Sequence, residues 1–288
     1  MSAKLSPRLG IPLLMVIAVT FSANHIAARV AFDHGASVAT AVFVRSAFTA
    51  AAVFALLRLQ GVAFALPGAT LGRAALIGLA LSVQSYCLYS AVASIPVALA
   101  LLAFNTFPMM LSLMSWAAGR GRPTARAFIA MPVALAGLAI ALDVWGKPLG
   151  AGVLWAFSAA FAFAAVLLLT DLWLKDMDGR VRSMLMMATT AVVVAIAAGA
   201  VGAFVAPVDG IGWIGVALLS VFYGLAITSL FVVLPKLGSA NYAVVLNFEP
   251  IAALFLAWVL IGQAVAPLQV LGAFVVMGAI AWLGLARK

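Results

Sequence analysis

Four ionisable side chains, His25, Arg29, Arg45 and Glu249, interrupt long apolar runs in the sequence. An ionisable group at membrane depth is costly and marks a functional site by default. A carboxylate such as Glu249 can take and release a proton or hold a cation. A guanidinium cannot shed its proton, so Arg45 must be paired or hydrated. Glu249 is the carboxylate at comparable depth. The expectation is therefore that Glu249 pairs with Arg45 or Arg29, or titrates as a coupling site. His25 and Arg29 are one helical turn apart and share a face. Imidazole exchanges protons near neutral pH, so His25 is a candidate relay, with a cross-helix hydrogen bond as the plainer role. Arg29 lies close to the end of its run and can snorkel outward.

Polar and aromatic residues extend this set. Ser82, Tyr86 and Tyr89 recur at spacings of four and three, the pattern of one helix face. Trp155, Ser158 and Phe161 recur at three. Tyr242, Leu246 and Glu249 share a face, and Ser220 and Tyr223 fall in another run. A mid-membrane tyrosine needs a partner for its hydroxyl, which makes it a better candidate than a purely apolar ring; packing is the alternative for each.

Ten apolar stretches must position these residues: roughly 10–32, 36–57, 74–93, 96–118, 127–143, 150–174, 183–206, 211–235, 239–262 and 265–286. Each approaches the ~20 residues that span a bilayer as a helix. The chain is 67% hydrophobic and 8% charged, far from the balance of a soluble domain. The expected fold is all-α, a polytopic membrane protein of ten transmembrane helices. Lys4 and Arg8 precede the first run, but no small-x-small cleavage site follows it, so that run reads as a retained span. Cys87 is the single cysteine, which excludes an intrachain disulfide. With the N-terminus in the cytoplasm, ten passes put thirteen of the sixteen Lys and Arg residues on the cytoplasmic side, among them Arg120, Arg180 and Arg182; only Lys147 falls on the other side. That bias supports both the span count and cytoplasmic termini.

The chain also echoes itself. Asn105-x-x-Pro108, with Trp116 eight residues beyond the proline, matches Asn247-x-x-Pro250 with Trp258. Each frame falls in the fourth span of a five-span half. Five is odd, so the halves, 1–145 and 146–288, are expected as inverted five-helix repeats with a site near the midplane between them. Pro108 and Pro250 are candidate hinges. Small residues in the fifth span, Ala130, Ala134, Gly137 and Ala141, allow close helix approach.

Ten spans in two inverted halves, Phe21-Ser22-Ala23-Asn24 with Arg29, mid-span Arg45 and the two Asn-x-x-Pro frames resemble the drug/metabolite transporter superfamily, EamA type, and within it the YddG-type amino acid exporters. The family's ninth span commonly ends Leu-Gly-Glu, whereas this one ends Ile261-Gly262-Gln263, so no role of that glutamate carries over. The resemblance implies a secondary transporter of the inner (plasma) membrane. It would export small zwitterionic metabolites, amino acids including aromatic ones, by alternating access. Arg29, Asn24 or Asn247 would take the carboxylate, and Glu249 or carbonyls freed near proline the ammonium; Tyr86, Tyr89, Trp155 and Tyr223 would hold the side chain, with His25, Asn105 and Tyr242 beside them. Expected partners are the small-molecule substrate and the bilayer, without nucleic acid or cofactor. The oligomeric state stays open, with a monomer favoured. The rivals are an exporter of amphipathic cations and an intramembrane enzyme using His25 and Glu249. No nucleotide-binding glycine loop or hydrolase motif occurs in the sequence.

Overall fold

Backbone polar groups in lipid find no water, so apolar runs of this length fold as helices whose hydrogen bonds close within the segment. The computed structural model describes residues 6–62, 66–120, 125–142, 150–236, 245–246 and 248–285. The described residues form eleven α-helices: α1 (Pro7–Asp33), α2 (Val38–Leu59), α3 (Gly68–Ser94), α4 (Val97–Phe104), α5 (Phe107–Ala117), α6 (Ala125–Leu142), α7 (Ala151–Trp173), α8 (Gly179–Ala200), α9 (Gly210–Lys236), α10 (Glu249–Ile261) and α11 (Pro267–Leu285). Seven helical stretches among the described residues are long and apolar enough to cross a membrane, one of them, Val97–Ala117, made of α4 and α5 together. Three shorter apolar helices, Pro132–Ala141, Glu249–Ile261 and Pro267–Ala279, accompany them.

Two departures from the sequence reading follow from proline. The fourth apolar stretch is broken at Asn105 and Thr106, and Pro108 is the second residue of α5. Proline has no N–H to give the carbonyl four residues back, and its ring clashes with that carbonyl, so a helix accommodates it at least cost in the first turn. The same rule acts at Pro250. Helix α10 begins at Glu249, with Pro250 second, and the residues just before it that are described, 245–246 and 248, form a tighter 3₁₀ turn. Glu249 thus stands at the start of a helix, not near the middle of one running from 239 to 262; residues 239–244 lie outside the described residues.

A third departure concerns Arg182. The charge count places it in a connector, but it lies in the first turn of α8 and is buried. Its Nη1 donates to the Leu174 carbonyl at 3.2 Å and its Nη2 to the Phe231 carbonyl at 3.4 Å. Phe231 lies four residues before Pro235, so its carbonyl lacks the usual helical donor and is free to accept from the arginine. Helix α8 also ends at Ala200 rather than 206; Gly202, at φ +62°, turns the chain there.

Helices gain little from hydrophobic burial when lipid surrounds them, so close backbone approach holds them together. The main pairings are α1 with α9, α3 with α7, α2 with α8 and α6 with α11; α2 with α9, α3 with α8, α1 with α10, and α7 with α4 and α5 follow. Glycine sets several of these distances. A Cβ on Gly215 of α9 would sit 2.9 Å from the Ala31 nitrogen and 3.0 Å from the Ala27 oxygen of α1. A Cβ on Gly272 of α11 would sit 2.5 Å from the Ala141 nitrogen and the Gly137 oxygen of α6. The small residues of the fifth stretch therefore pack within the chain, with Ala130, Ala134 and Ala141 buried.

The connectors interlock where α1 meets α2 and α8 meets α9. The Val208 N–H donates to the His34 carbonyl at 2.9 Å and the Ser37 N–H to the Val205 carbonyl at 3.0 Å. His34 Nδ1 meets Asp209 Oδ2 at 2.7 Å. The Gly212 N–H, first, and the His34 ring hold the Asp209 carboxyl below its ordinary range.

Gly215→Ala is expected to lower the thermal stability of the detergent-purified protein by about 1–3 kcal/mol, because backbone cannot yield as a side chain can. Gly199→Ala, whose Cβ would meet nothing nearer than a Phe204 ring atom at 4.0 Å, is expected to hold or gain stability. Equal unfolding temperatures for the two variants would contradict the glycine-set spacing of α1 and α9.

Candidate functional site

Each helix that turns a polar residue inward must supply it a partner, because an unpaired polar group away from water costs about 1–3 kcal/mol or more. Several of the inward polar residues meet at one cavity. It is lined by Phe21 and His25 of α1, Arg45 of α2, Leu81, Gln84 and Leu88 of α3, Phe104 and Phe107 of α4 and α5, Phe163 of α7, Tyr223, Ile227 and Leu230 of α9, Leu246, and Glu249 of α10. Its free space is about 50 Å³. That holds a few waters, so an amino-acid-sized solute fits only when the surrounding helices part.

Glu249 meets His25, not Arg45 or Arg29. His25 Nε2 lies 3.3 Å from Glu249 Oε1, and both side chains are at least nine-tenths buried. Position at the start of α10 favours an anion there, where helical N–H groups are unpaired and the macrodipole is positive. Ser22 ties the same residue to α1, its Oγ donating to the Glu249 carbonyl at 2.7 Å. The His25 Nδ1 has no hydrogen-bond partner among the described residues. Arg29 is occupied elsewhere: its Nε donates to both Asp33 oxygens, at 2.9 and 3.1 Å, and its Nη1 to the Val92 carbonyl at 3.2 Å. The one-turn spacing of Arg29 and Asp33 was visible in the sequence and outcompetes a distant carboxylate.

Arg45 is 2% exposed. No carboxylate among the described residues lies within 4 Å of it, and its Nε has no hydrogen-bond partner. Its guanidinium carbon sits 4.3 Å from the Tyr89 ring centre and 3.6 Å from the Tyr223 ring centre. A desolvated cation–π contact contributes about 2 kcal/mol. Burying an ion costs several kcal/mol even after relaxation. Two rings therefore offset only part of that cost.

The rings are fixed in turn. Tyr89 Oη donates to Asn24 Oδ1 at 2.8 Å. The Tyr89 ring meets His25 edge-on at 5.7 Å and Phe32 at 5.8 Å, and Tyr223 meets Phe21 at 6.2 Å. A continuous series of contacts thus runs from Glu249 through His25, Tyr89 and Arg45 to Tyr223 and Phe21.

Of the residues singled out by sequence, His25, Arg45, Tyr223 and Glu249 line the cavity, and Asn24 and Tyr89 support it. Tyr86 and Trp155 do not line it; they pair edge-on at 6.4 Å and are 40% and 39% exposed. A spacing of three leaves about 60° between Tyr86 and Tyr89 on a helix, enough to turn one outward. Asn105 is buried, but its Nδ2 donates to the Leu101 carbonyl at 2.8 Å, completing the end of α4. Tyr242 and Asn247 lie outside the described residues. Sequence reasoning passed over Phe104, Phe107 and Phe163, whose rings cluster at 4.9–5.5 Å. Nothing distinguishes them from other phenylalanines in apolar runs. Gln84, a polar residue in mid-run, did carry a signal.

A family model described as the EamA-like transporter family matches residues 8–142 and 150–285. Comparison with curated proteins finds no match. A solved crystal structure, titled only as that of a protein, superposes with a TM-score of 0.70 at 19% identity, covering 97% of this chain and 98% of its own. That likeness speaks to the fold alone.

Tyr89→Phe strands the Asn24 carbonyl in a dry interior and is expected to cost about 1–3 kcal/mol of stability. Tyr86→Phe, on a side chain 40% exposed, is expected to stay within about 0.5 kcal/mol. Thermal unfolding of the two variants in one detergent compares them, and an unchanged Tyr89→Phe would remove the hydroxyl from the site's support.

Proposed function

We propose a transport cycle for this chain on the ground that it belongs to the EamA-like transporter family, a family of multi-pass membrane transporters. The proposed activity is export of small zwitterionic metabolites, amino acids including aromatic ones, across the plasma membrane. One observation carries this reading: a buried cation, Arg45, and a buried carboxylate, Glu249, line the same cavity among aromatic and aliphatic walls. A zwitterion presents the complementary pair of charges and an apolar side chain. An amphipathic cation suits the site less, because Arg45 would repel it where little water screens the charge. An intramembrane enzyme is disfavoured because the family is one of transporters.

The proposed architecture is ten spans in two inverted five-helix repeats, residues 1–145 and 146–288, with both termini cytoplasmic. The helix pairings support it. Exchanging the halves span for span sends the α1–α9 pairing onto α7–α3 and the α2–α9 pairing onto α8–α3. It sends the α1–α10 pairing onto that of α7 with α4 and α5, and leaves the α2–α8 and α6–α11 partnerships in place. The two Asn-x-x-Pro frames agree, each putting its proline second in a helix that follows a break. Inverted halves of this kind rock about a midplane site, with Pro108 and Pro250 at the points where their helices yield. No nucleotide-binding loop occurs in the sequence, so the gradient of the solute or of a coupled ion drives the cycle.

Within the cycle Glu249 has two duties. It holds the substrate ammonium, and with His25 it exchanges a proton when the ammonium is absent. Counterflow of labelled amino acids in proteoliposomes tests this, with wild type beside Glu249→Gln at two pH values. Wild type is expected to exchange neutral and aromatic amino acids. Glu249→Gln is expected to exchange with a raised KM, having lost the ammonium's partner, and to lose its response to a pH gradient. Absence of amino acid flux in wild type, together with transport of cationic dyes, would replace the zwitterion reading with drug export.

A further inference from the structure

We infer that Arg45 is the receptor for the substrate's carboxylate, a duty the sequence assigns to Arg29, Asn24 or Asn247. The inference rests on the transport reading above and names the group that selects the cargo. Arg29, Arg45 and Arg182 are buried or half-buried within their helices, and two of them already donate to a carboxylate or to backbone carbonyls, although the Arg182 Nε has no partner among the described residues. Arg29 has Asp33 and the Val92 carbonyl. Arg182 has the Leu174 and Phe231 carbonyls. Arg45 has two tyrosine rings and no carboxylate among the described residues. It alone of the three lines the cavity.

The neighbouring elements leave that role open and fix the geometry for it. From α1 comes His25, already facing Glu249 at 3.3 Å. From α3 comes Tyr89, held by Asn24 at 2.8 Å, and Gln84, the neutral polar group on the cavity wall. From α9 comes Tyr223, and from α10 Glu249. No other described group in this lining carries a fixed positive charge. A guanidinium presents its N–H donors as a planar fork that matches the two oxygens of a carboxylate. The ring faces restrain Arg45 and leave its Nε without a partner among the described residues, since a ring face attracts the charge and does not accept a forked pair of hydrogen bonds. A site that is pre-positioned and short of an anion binds its anion at little cost in ordering.

The arrangement also orients the cargo. With its carboxylate on Arg45, the ammonium turns to the His25–Glu249 side, and the side chain to Phe104, Phe107 and Phe163. Selection then depends on the carboxylate more than on the side chain. A site built to bond a polar group rejects analogues that lack it, whereas an apolar wall tolerates many shapes.

The test uses wild-type protein in proteoliposomes exchanging labelled phenylalanine, challenged with phenylalanine, phenylalanine amide and phenethylamine. The amide and the amine are expected to compete about 30-fold or more weakly than the amino acid, the scale of losing one partner of a buried charge pair. Arg45→Gln is expected to abolish that preference, and Arg45→Lys to keep part of it. Equal competition by amide and amino acid in wild type overturns the assignment. So does an Arg45→Gln protein that still exchanges and still prefers the amino acid. Binding is read separately, by thermal shift with 3-phenylpropionate, which has the carboxylate and no ammonium. Stabilisation of wild type but not of Arg45→Gln upholds the carboxylate receptor even if phenylalanine exchange is absent and the amino acid reading fails. No stabilisation of wild type overturns it.

Discussion

A guanidinium keeps its charge in any surroundings a protein can offer, so the interior around Arg45 has to be built to hold a permanent cation. Most of what is specific about this bundle follows from that constraint. Two tyrosines from different helices lie against the charge. One is anchored by Asn24, the other packed on Phe21, and His25 lies against the first. The carboxylate of Glu249 meets His25 instead, and no carboxylate among the described residues lies within 4 Å of Arg45.

Proline supplies the second organising influence. At Pro108 and Pro250 it forces helices to start afresh in the middle of apolar stretches. Fresh starts expose N–H groups at depth, and Glu249 occupies one of those starts. A break at membrane depth is tolerated where it is covered by protein or lines a cavity. Here Phe104, Phe107, Leu246 and Glu249, all next to the two breaks, are cavity-lining residues. At Pro235, which lies within the last turn of α9, the freed Phe231 carbonyl is taken by Arg182.

The membrane character and the helical class were legible in composition and in run length, since lipid permits little else. That Glu249, His25 and Arg45 stand apart was legible too, because ionisable residues are conspicuous against apolar runs, and all three are buried. Their pairing was not. Arg29 finds Asp33 within its own helix, and Glu249 reaches His25 because α10 begins where a continuous helix was expected; both facts depend on backbone path. Tyr86 and Tyr89 show the limit of spacing rules, since an offset of about 60° separates an exposed ring from a buried one. Arg182 shows that a count of basic residues reads the ends of helices and not their burial.

The pairing of signs within the cavity has an electrical side. Moving one unit charge through the whole membrane field involves about 2.3 kcal/mol per 100 mV. Arg45 and the carboxylate of Glu249 cancel in sum whenever the latter is ionised, so shifting both together against that field then does almost no net work. Under the proposed cycle, a cargo neutral overall leaves that balance unchanged, and only the proton exchanged at Glu249 and His25 would feel the membrane potential.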